Sequence, residues 1–201
     1  MHLYIESSVR VNLASGNSLH IEQKTAYPWE GKIQLQLRMV KASKFPLLLR
    51  IPGWCQRYDL SLNGMPIECT IEDGYAIVER CWRPNDRIEL VLEMPIQMMK
   101  AHPAVSQNSG KVALQRGPLI YCLEEADHPL PVTQISLAKT AKFKTSFEPA
   151  LLGGVIVIKG EGLINQSEAW EKKLYLPTDR SPSLTRIPIK AIPYYAWDNR
   201  E

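Results

Sequence analysis

In the octapeptide Lys32-Ile33-Gln34-Leu35-Gln36-Leu37-Arg38-Met39 every second residue is apolar and the residues between are polar. A strand turns successive side chains to opposite faces, so this period of two is what a half-buried strand requires; a helix would scatter the four apolar residues around its circumference. The same phase recurs in Leu47, Leu49 and Ile51, in Leu60 and Leu62, and in Ile88, Leu90, Leu92 and Met94. Between these runs lie Pro52-Gly53, Asn63-Gly64, Asp73-Gly74 and Pro84-Asn85-Asp86, residues that favour turns. Short strands punctuated in this way predict an all-β fold of sandwich or barrel type. Asn63-Gly64 tolerates positive φ at both positions and predicts a tight type I′ hairpin after Leu62, with Pro66 limiting how far the pairing runs.

The alternation lapses over residues 98–110, where Pro, Ser, Asn and Gly collect as in a linker or crossing loop. Strand-like patterns return at residues 111–115, 118–123, 135–137 and 155–158, with residues 143–149 and 151–154 read as connections. No segment carries an amphipathic stripe of helical period. The expectation is an all-β chain of two antiparallel β-sandwich modules, the first over residues 1–106 and the second over 107–188.

Charge excludes some classes of partner. Lys and Arg total 24 against 21 Asp and Glu, a net +3 over 201 residues, and the two signs are interleaved. That leaves no basic footprint for nucleic acid. No apolar stretch reaches the roughly 18–20 residues that span a bilayer, so no membrane partner is expected. The start, MHLYIESSVRVN, lacks the basic and apolar regions of a signal peptide, which makes a cytoplasmic location the expectation. Cys55, Cys69, Cys81 and Cys122 are widely spaced and read as free thiols. Asn165-Gln166-Ser167 fits the glycosylation sequon, which carries weight only in a secreted chain.

Chemistry needs particular neighbours. A nucleophilic cysteine needs a base or metal, and around Cys55 stand Trp54, Gln56, Arg57 and Tyr58, with His20 and His102 the nearest histidines along the chain. Cys55 is therefore read as a small structural hydrophobe. His2, His20, His102 and His128 form no metal-binding spacing; Cys122, Glu124 and His128 are the best local cluster, read as part of a solvated loop. Gly153-Gly154 lacks the Lys-Ser or Lys-Thr of a phosphate loop. No catalytic and no metal-binding residue is nominated. The aromatic clusters Tyr27-Pro28-Trp29 and Tyr194-Tyr195-Ala196-Trp197, with Trp54, are the candidates: rigid amphipathic rings that stack on sugars or pack against a neighbouring domain.

The ordered blocks Tyr27-Pro28-Trp29-Glu30-Gly31, Leu49-Arg50-Ile51-Pro52-Gly53-Trp54-Cys55, Arg80-Cys81-Trp82, His102-Pro103, Val112-Ala113-Leu114-Gln115-Arg116-Gly117-Pro118-Leu119-Ile120-Tyr121 and Pro193-Tyr194-Tyr195-Ala196-Trp197-Asp198-Asn199-Arg200 resemble the C-terminal β-sandwich region of glycoside hydrolase family 127. Those β-L-arabinofuranosidase-like enzymes have an (α/α)6 barrel followed by two β-sandwich modules. The resemblance implies that the catalytic cysteine, held as a zinc thiolate by further cysteines and a glutamate, belongs to the barrel, ahead of residue 1. It also implies that residues 189–201 return to complete the first sandwich. No cofactor is expected on this chain, and Cys55 matches a sandwich block and not the nucleophile. The chain is thus expected to be a non-catalytic portion, inactive alone, whose partner is a separate or missing catalytic barrel. The alternatives are a free carbohydrate-binding module, with Trp29, Trp54, Tyr194, Tyr195 and Trp197 as candidate carbohydrate or inter-domain contacts, or part of an enzyme hydrolysing non-reducing-end β-L-arabinofuranosides when joined to its barrel.

Overall fold

The computed structural model describes residues 1–165, 174–175, 177 and 183–199. The chain divides into two units, Met1–Pro95 and Ile96–Glu201. Every pairing of neighbouring strands is antiparallel, as an all-β reading of the sequence requires.

The first unit contains β1 (Ser7–Asn12), β2 (Ser18–Thr25), β3 (Lys32–Met39), β4 (Ser43–Arg50), β5 (Tyr58–Leu62), β6 (Met65–Pro66), β7 (Thr70–Glu72), β8 (Tyr75–Trp82) and β9 (Arg87–Leu92). They form a six-stranded sheet in the order β1-β2-β3-β9-β5-β6 and a three-stranded sheet β4-β8-β7. Ile33, Leu35 and Leu37 of β3 are buried while Lys32, Gln34 and Arg38 are exposed, the alternation read from the sequence. Leu49, Val78 and Trp82 from the smaller sheet join Leu35, Leu60 and Leu90 from the larger one in a single apolar core, so the two sheets face each other as a sandwich. Trp82 is wholly buried, and its indole N–H donates to the Phe45 carbonyl at 2.9 Å, which removes the one polar atom that burial would otherwise penalise.

Two turns carry special backbone. Asn63 (φ 52°) and Gly64 (φ 83°) both lie in the left-handed region, and Leu62 pairs with Met65 across them, the expected type I′ hairpin. Asp86, 5% exposed, accepts hydrogen bonds from Asn63 Nδ2 (2.9 Å) and the Arg83 backbone N–H (2.8 Å), tying this hairpin to the turn before β9. At Gly31 a Cβ would stand 1.9 Å from the Leu92 carbonyl oxygen, so the backbones at the start of β3 and the end of β9 meet as only glycine permits.

The second unit contains β10 (Ile96–Lys100), β11 (Val112–Arg116), β12 (Leu119–Leu123), β13 (Phe143–Glu148), β14 (Val155–Asn165) and β15 (Leu184–Pro193). Their order in one six-stranded sheet is β10-β11-β12-β15-β14-β13. Leu114, Tyr121, Ile158 and Ala191 are its buried centre.

Several boundaries differ from the expectation. The units divide after Pro95 rather than residue 106, because the stretch read as a linker begins with β10, which pairs with β11 over Ile96–Arg116 to Lys100–Val112. Residues 189–193 do not return to the first sandwich; they belong to β15, which pairs with β12 and β14, with Ile189, Ala191 and Ile192 buried. Residues 143–148, read as a connection, are β13. Residues 135–137 contribute an isolated bridge, Ser136 to Leu163, rather than a strand. Of the sequon, Gln166 and Ser167 lie outside the described residues, as does Arg200.

Candidate functional site

Cys55 sits on the turn that Pro52-Gly53 begins: its backbone N–H donates to Pro52 O (2.9 Å) and its thiol donates to Arg57 O (3.0 Å). The side chain is half-buried against the core of the first unit. Burial pushes its thiol pKa up, and hydrogen bonds to backbone only partly offset that. A thiol held protonated is a poor nucleophile and a poor metal ligand.

Trp29 and Trp54 are half-buried. Tyr27 anchors this corner: it meets Tyr4 edge-on, with ring centroids 6.0 Å apart, and the Tyr4 hydroxyl donates to Arg50 O at 2.6 Å. Burial raises the Tyr27 pKa, against the lowering effect of a hydrogen bond from Trp54. The Tyr27-Pro28 peptide is cis, and Trp29 N–H closes the turn on Ala26 O at 2.9 Å. The corner leaves neither indole standing free as a flat platform.

The other cluster differs. Tyr194, Tyr195 and Trp197 follow β15 on a 3-10 turn, Tyr194–Ala196, and are 57%, 61% and 54% exposed. The rings of Tyr194 and Trp197 lie 11° from parallel with centroids 6.1 Å apart. Buried Ala196 seats the turn, and Asp198 N–H donates to Glu124 Oε1 at 2.9 Å just beyond it. Tyr194 also borders an apolar recess of about 790 Å³ whose walls include Val112, Leu114, Ile120 and Leu137.

Glu124 and His128 correct the sequence reading. They are 7% and 9% exposed, so this stretch is not simply a solvated loop. His128 Nδ1 bonds the Glu124 carbonyl (2.6 Å) while Nε2 accepts from Lys190 N–H (3.3 Å), which fixes the ring tautomer and ties the loop to β15. Lys190 Nζ pairs with Asp127 (2.6 Å) and lies 3.8 Å from Glu148, which Lys159 holds at 2.7 Å. The Lys159 hydrogen bond keeps the Glu148 carboxyl below its ordinary range. The group is a polar brace that ties the loop to β15, and through Glu124 to Asp198 just beyond the Tyr194–Ala196 turn. Its sequence signal was the Glu124-to-His128 spacing, legible as proximity but silent about burial.

Among the described residues no three His, Cys, Asp or Glu side chains converge as a metal ion requires. The four cysteines are free, Cys81 exposed and the others half-buried. These residues do not fit a zinc thiolate site. No helix among the described residues is long and apolar enough to cross a membrane.

Comparison with known proteins places this geometry. The model of the beta-L-arabinofuranosidase GH127 middle domain matches residues 1–94, and that of the glycoside hydrolase family 127 C-terminal domain matches residues 96–201, a division that coincides with the two units. A non-reducing end beta-L-arabinofuranosidase of Bifidobacterium longum subsp. longum is 30% identical over the whole chain, which covers 31% of that protein. A solved GH127 beta-L-arabinofuranosidase from Geobacillus stearothermophilus T6 is 43% identical with a TM-score of 0.92 over 99% of this chain and 31% of its own. Another solved GH127 beta-arabinofuranosidase is 29% identical with a TM-score of 0.83, over 98% of this chain and 32% of its own. The chain thus spans about a third of the length of these relatives. Filled from end to end by two consecutive domain models of one family, the chain belongs to glycoside hydrolase family 127.

Proposed function

We propose that this chain is the non-catalytic β-sheet portion of a β-L-arabinofuranosidase-like hydrolase and that it braces an (α/α)6 catalytic barrel. The observation that carries the reading is that the middle and C-terminal domain models account for residues 1–94 and 96–201 while the chain spans only 31% of the Bifidobacterium arabinofuranosidase. Cys55 fits the same reading, since burial pushes its thiol pKa up and makes it a weaker nucleophile. Zinc and the nucleophile then belong to the barrel, and hydrolysis of non-reducing-end β-L-arabinofuranosides to the joined protein. The test is an assay of the purified 201-residue chain on p-nitrophenyl β-L-arabinofuranoside with added zinc and reductant. No turnover above a mock purification is expected; sustained turnover that co-purifies with the chain overturns the reading.

A second reading, a free carbohydrate-binding module, draws on the exposed, nearly parallel rings of Tyr194 and Trp197. Adjacent exposed rings offer an apolar platform for a sugar face. In that reading Trp197→Ala abolishes retention on an arabinan affinity gel; retention equal to the parent removes the ring pair as the platform.

A further inference from the structure

Asn63-Gly64 is the single Asn-Gly pair in the chain, and both residues are exposed at the tip of the hairpin of β5 with β6. In such a pair the backbone nitrogen of glycine, with no side chain beside it, can attack the Cγ of the preceding asparagine. Gly64 leaves room for that attack, since an added Cβ there would meet nothing within 4 Å. The hydrogen bonds around Asn63 hold it off. Asn63 Nδ2 donates to Asp86 Oδ1 (2.9 Å), Asn63 Oδ1 accepts from the Arg87 backbone N–H (2.9 Å), and the Asn63 backbone N–H donates to Arg87 O (2.8 Å). Swinging Cγ onto the Gly64 nitrogen breaks the two side-chain bonds. One of them is to a carboxylate that is buried and pinned in turn by the Arg83 N–H at 2.8 Å.

The same contacts distinguish asparagine from its own acid. The Arg87 N–H needs an acceptor and the Asp86 carboxylate needs a donor, and an amide supplies both where a carboxylate supplies only the first. An aspartate at 63 keeps the bond from Arg87 but sets a carboxylate oxygen against Asp86, at the 2.9 Å that now separates donor from acceptor. We infer that Asn63 is a deamidation site that the folded hairpin keeps closed, and that its reaction unties the hairpin from the turn before β9. Gly64 N bonds to Asn63 Cγ and gives its proton to water; the Cγ–Nδ2 bond breaks and Nδ2 leaves as ammonia, which closes a succinimide ring. One water then opens the ring. Opening at the Cγ–N bond leaves aspartate, and opening at the backbone carbonyl leaves isoaspartate, whose extra backbone carbon lengthens a two-residue turn. The sum is amide plus water to acid plus ammonia, with nothing oxidised or reduced. Because the amide reacts only when the hairpin opens, the modification records irreversibly how often this end of the first unit has opened.

The experiment incubates the full 201-residue chain at mildly alkaline pH, folded in buffer and unfolded in guanidinium chloride, and follows the tryptic peptide Tyr58–Arg80 by mass spectrometry. That peptide holds no other Asn and no Gln, so the amide-to-acid mass change reports Asn63 alone. Deamidation is expected to be at least about tenfold slower in the folded chain, the scale of one hydrogen bond that must break first. Asn63→Asp is expected to lower the urea midpoint by at least about 0.5 M. Asn63→Asp combined with Asp86→Asn reverses donor and acceptor across the contact while leaving the Arg87 and Arg83 N–H groups an acceptor each. The pair is expected to recover at least half of the midpoint lost by Asn63→Asp alone. A smaller difference between the folded and unfolded rates overturns the closed state. A smaller midpoint shift in Asn63→Asp, or a smaller recovery in the double variant, overturns the untying. The rate comparison needs no variant, so it decides even if a variant fails to fold, and no outcome depends on whether the chain is catalytic.

Discussion

Replacing Gly31 with alanine sets a methyl carbon 1.9 Å from the Leu92 carbonyl oxygen and 2.9 Å from its carbonyl carbon. The obstacle is backbone, so no rotamer change relieves it; β3 and β9 must separate by more than an ångström where they meet. That separation breaks the hydrogen bond from Leu92 N–H to Gly31 O, 2.8 Å long. A lost backbone bond costs about 1 kcal/mol net, and leaving its buried groups unpaired adds roughly 1–3 kcal/mol. Leu92 (2% exposed) and Ile33 (0%) also lose packing at this edge, so the total is about 3–4 kcal/mol. A domain the size of the first unit loses roughly 4–8 °C of Tm per kcal/mol, so its transition should fall by about 12 °C or more. Gly53→Ala is the control: nothing lies within 4 Å of its added Cβ, and it should change stability by under about 1 kcal/mol. Differential scanning calorimetry of both variants checks the reasoning, and a Gly31→Ala transition within about 3 °C of the parent refutes it.

Asp86→Ala should destabilise the first unit by about 2–4 kcal/mol, read from urea midpoints, because it removes a buried acceptor of two hydrogen bonds and unties two turns. Trp82→Phe should cost about 2 kcal/mol and remove the most blue-shifted component of tryptophan emission, since this indole is fully buried and bonded to Phe45 O. Glu89 and Glu148 both have carboxyl pKa values held below the ordinary 4.5 by lysine partners, so their contribution is present above that value and lost as pH falls through the lower folded one. The urea midpoint should therefore be flat above about pH 5 and decline below about pH 4, with Glu148→Gln reducing the slope. With a thiol-reactive disulfide reagent at neutral pH, exposed Cys81 should react first and Cys55, half-buried with its pKa raised, at least about tenfold later; equal rates would contradict the described burial.

The strands legible in the sequence are those with one buried face. β3 shows Ile33, Leu35 and Leu37 inside and polar residues outside, and the Asn63-Gly64 turn announces itself through φ. Of the strands not read from the sequence, β2 and β8 do bury one face, but β2 places the polar Gln23 on it and β8 carries Tyr75 and Ile77 on the opposite face, which masks the alternation; β10 and β13 bury little. β13 has no fully buried residue, so neither of its faces imposes a pattern, and β10 runs into a polar loop that hides its last residue. The course of β15 was hidden for another reason: pairing partners are a long-range property, and Pro188 within it argues locally against a central strand. For the candidate site, composition identified the aromatic clusters but not their orientation. Tyr194 and Trp197 stand exposed because the turn is seated by Ala196 and Glu124, whereas Trp29 and Trp54 sink into a corner, a difference fixed by neighbours distant in the chain.

The place of β15 between β12 and β14 has a temporal meaning for a chain made from its N-terminus. The first unit has all its strands once Leu92 has left the ribosome, and it can fold while synthesis continues. In the second, β10 to β12 and the hairpin of β13 with β14 are two halves held apart until the last strand arrives to join them. Nascent chains arrested before residue 184 should therefore carry a protease-resistant first unit followed by unjoined, protease-sensitive halves of the second.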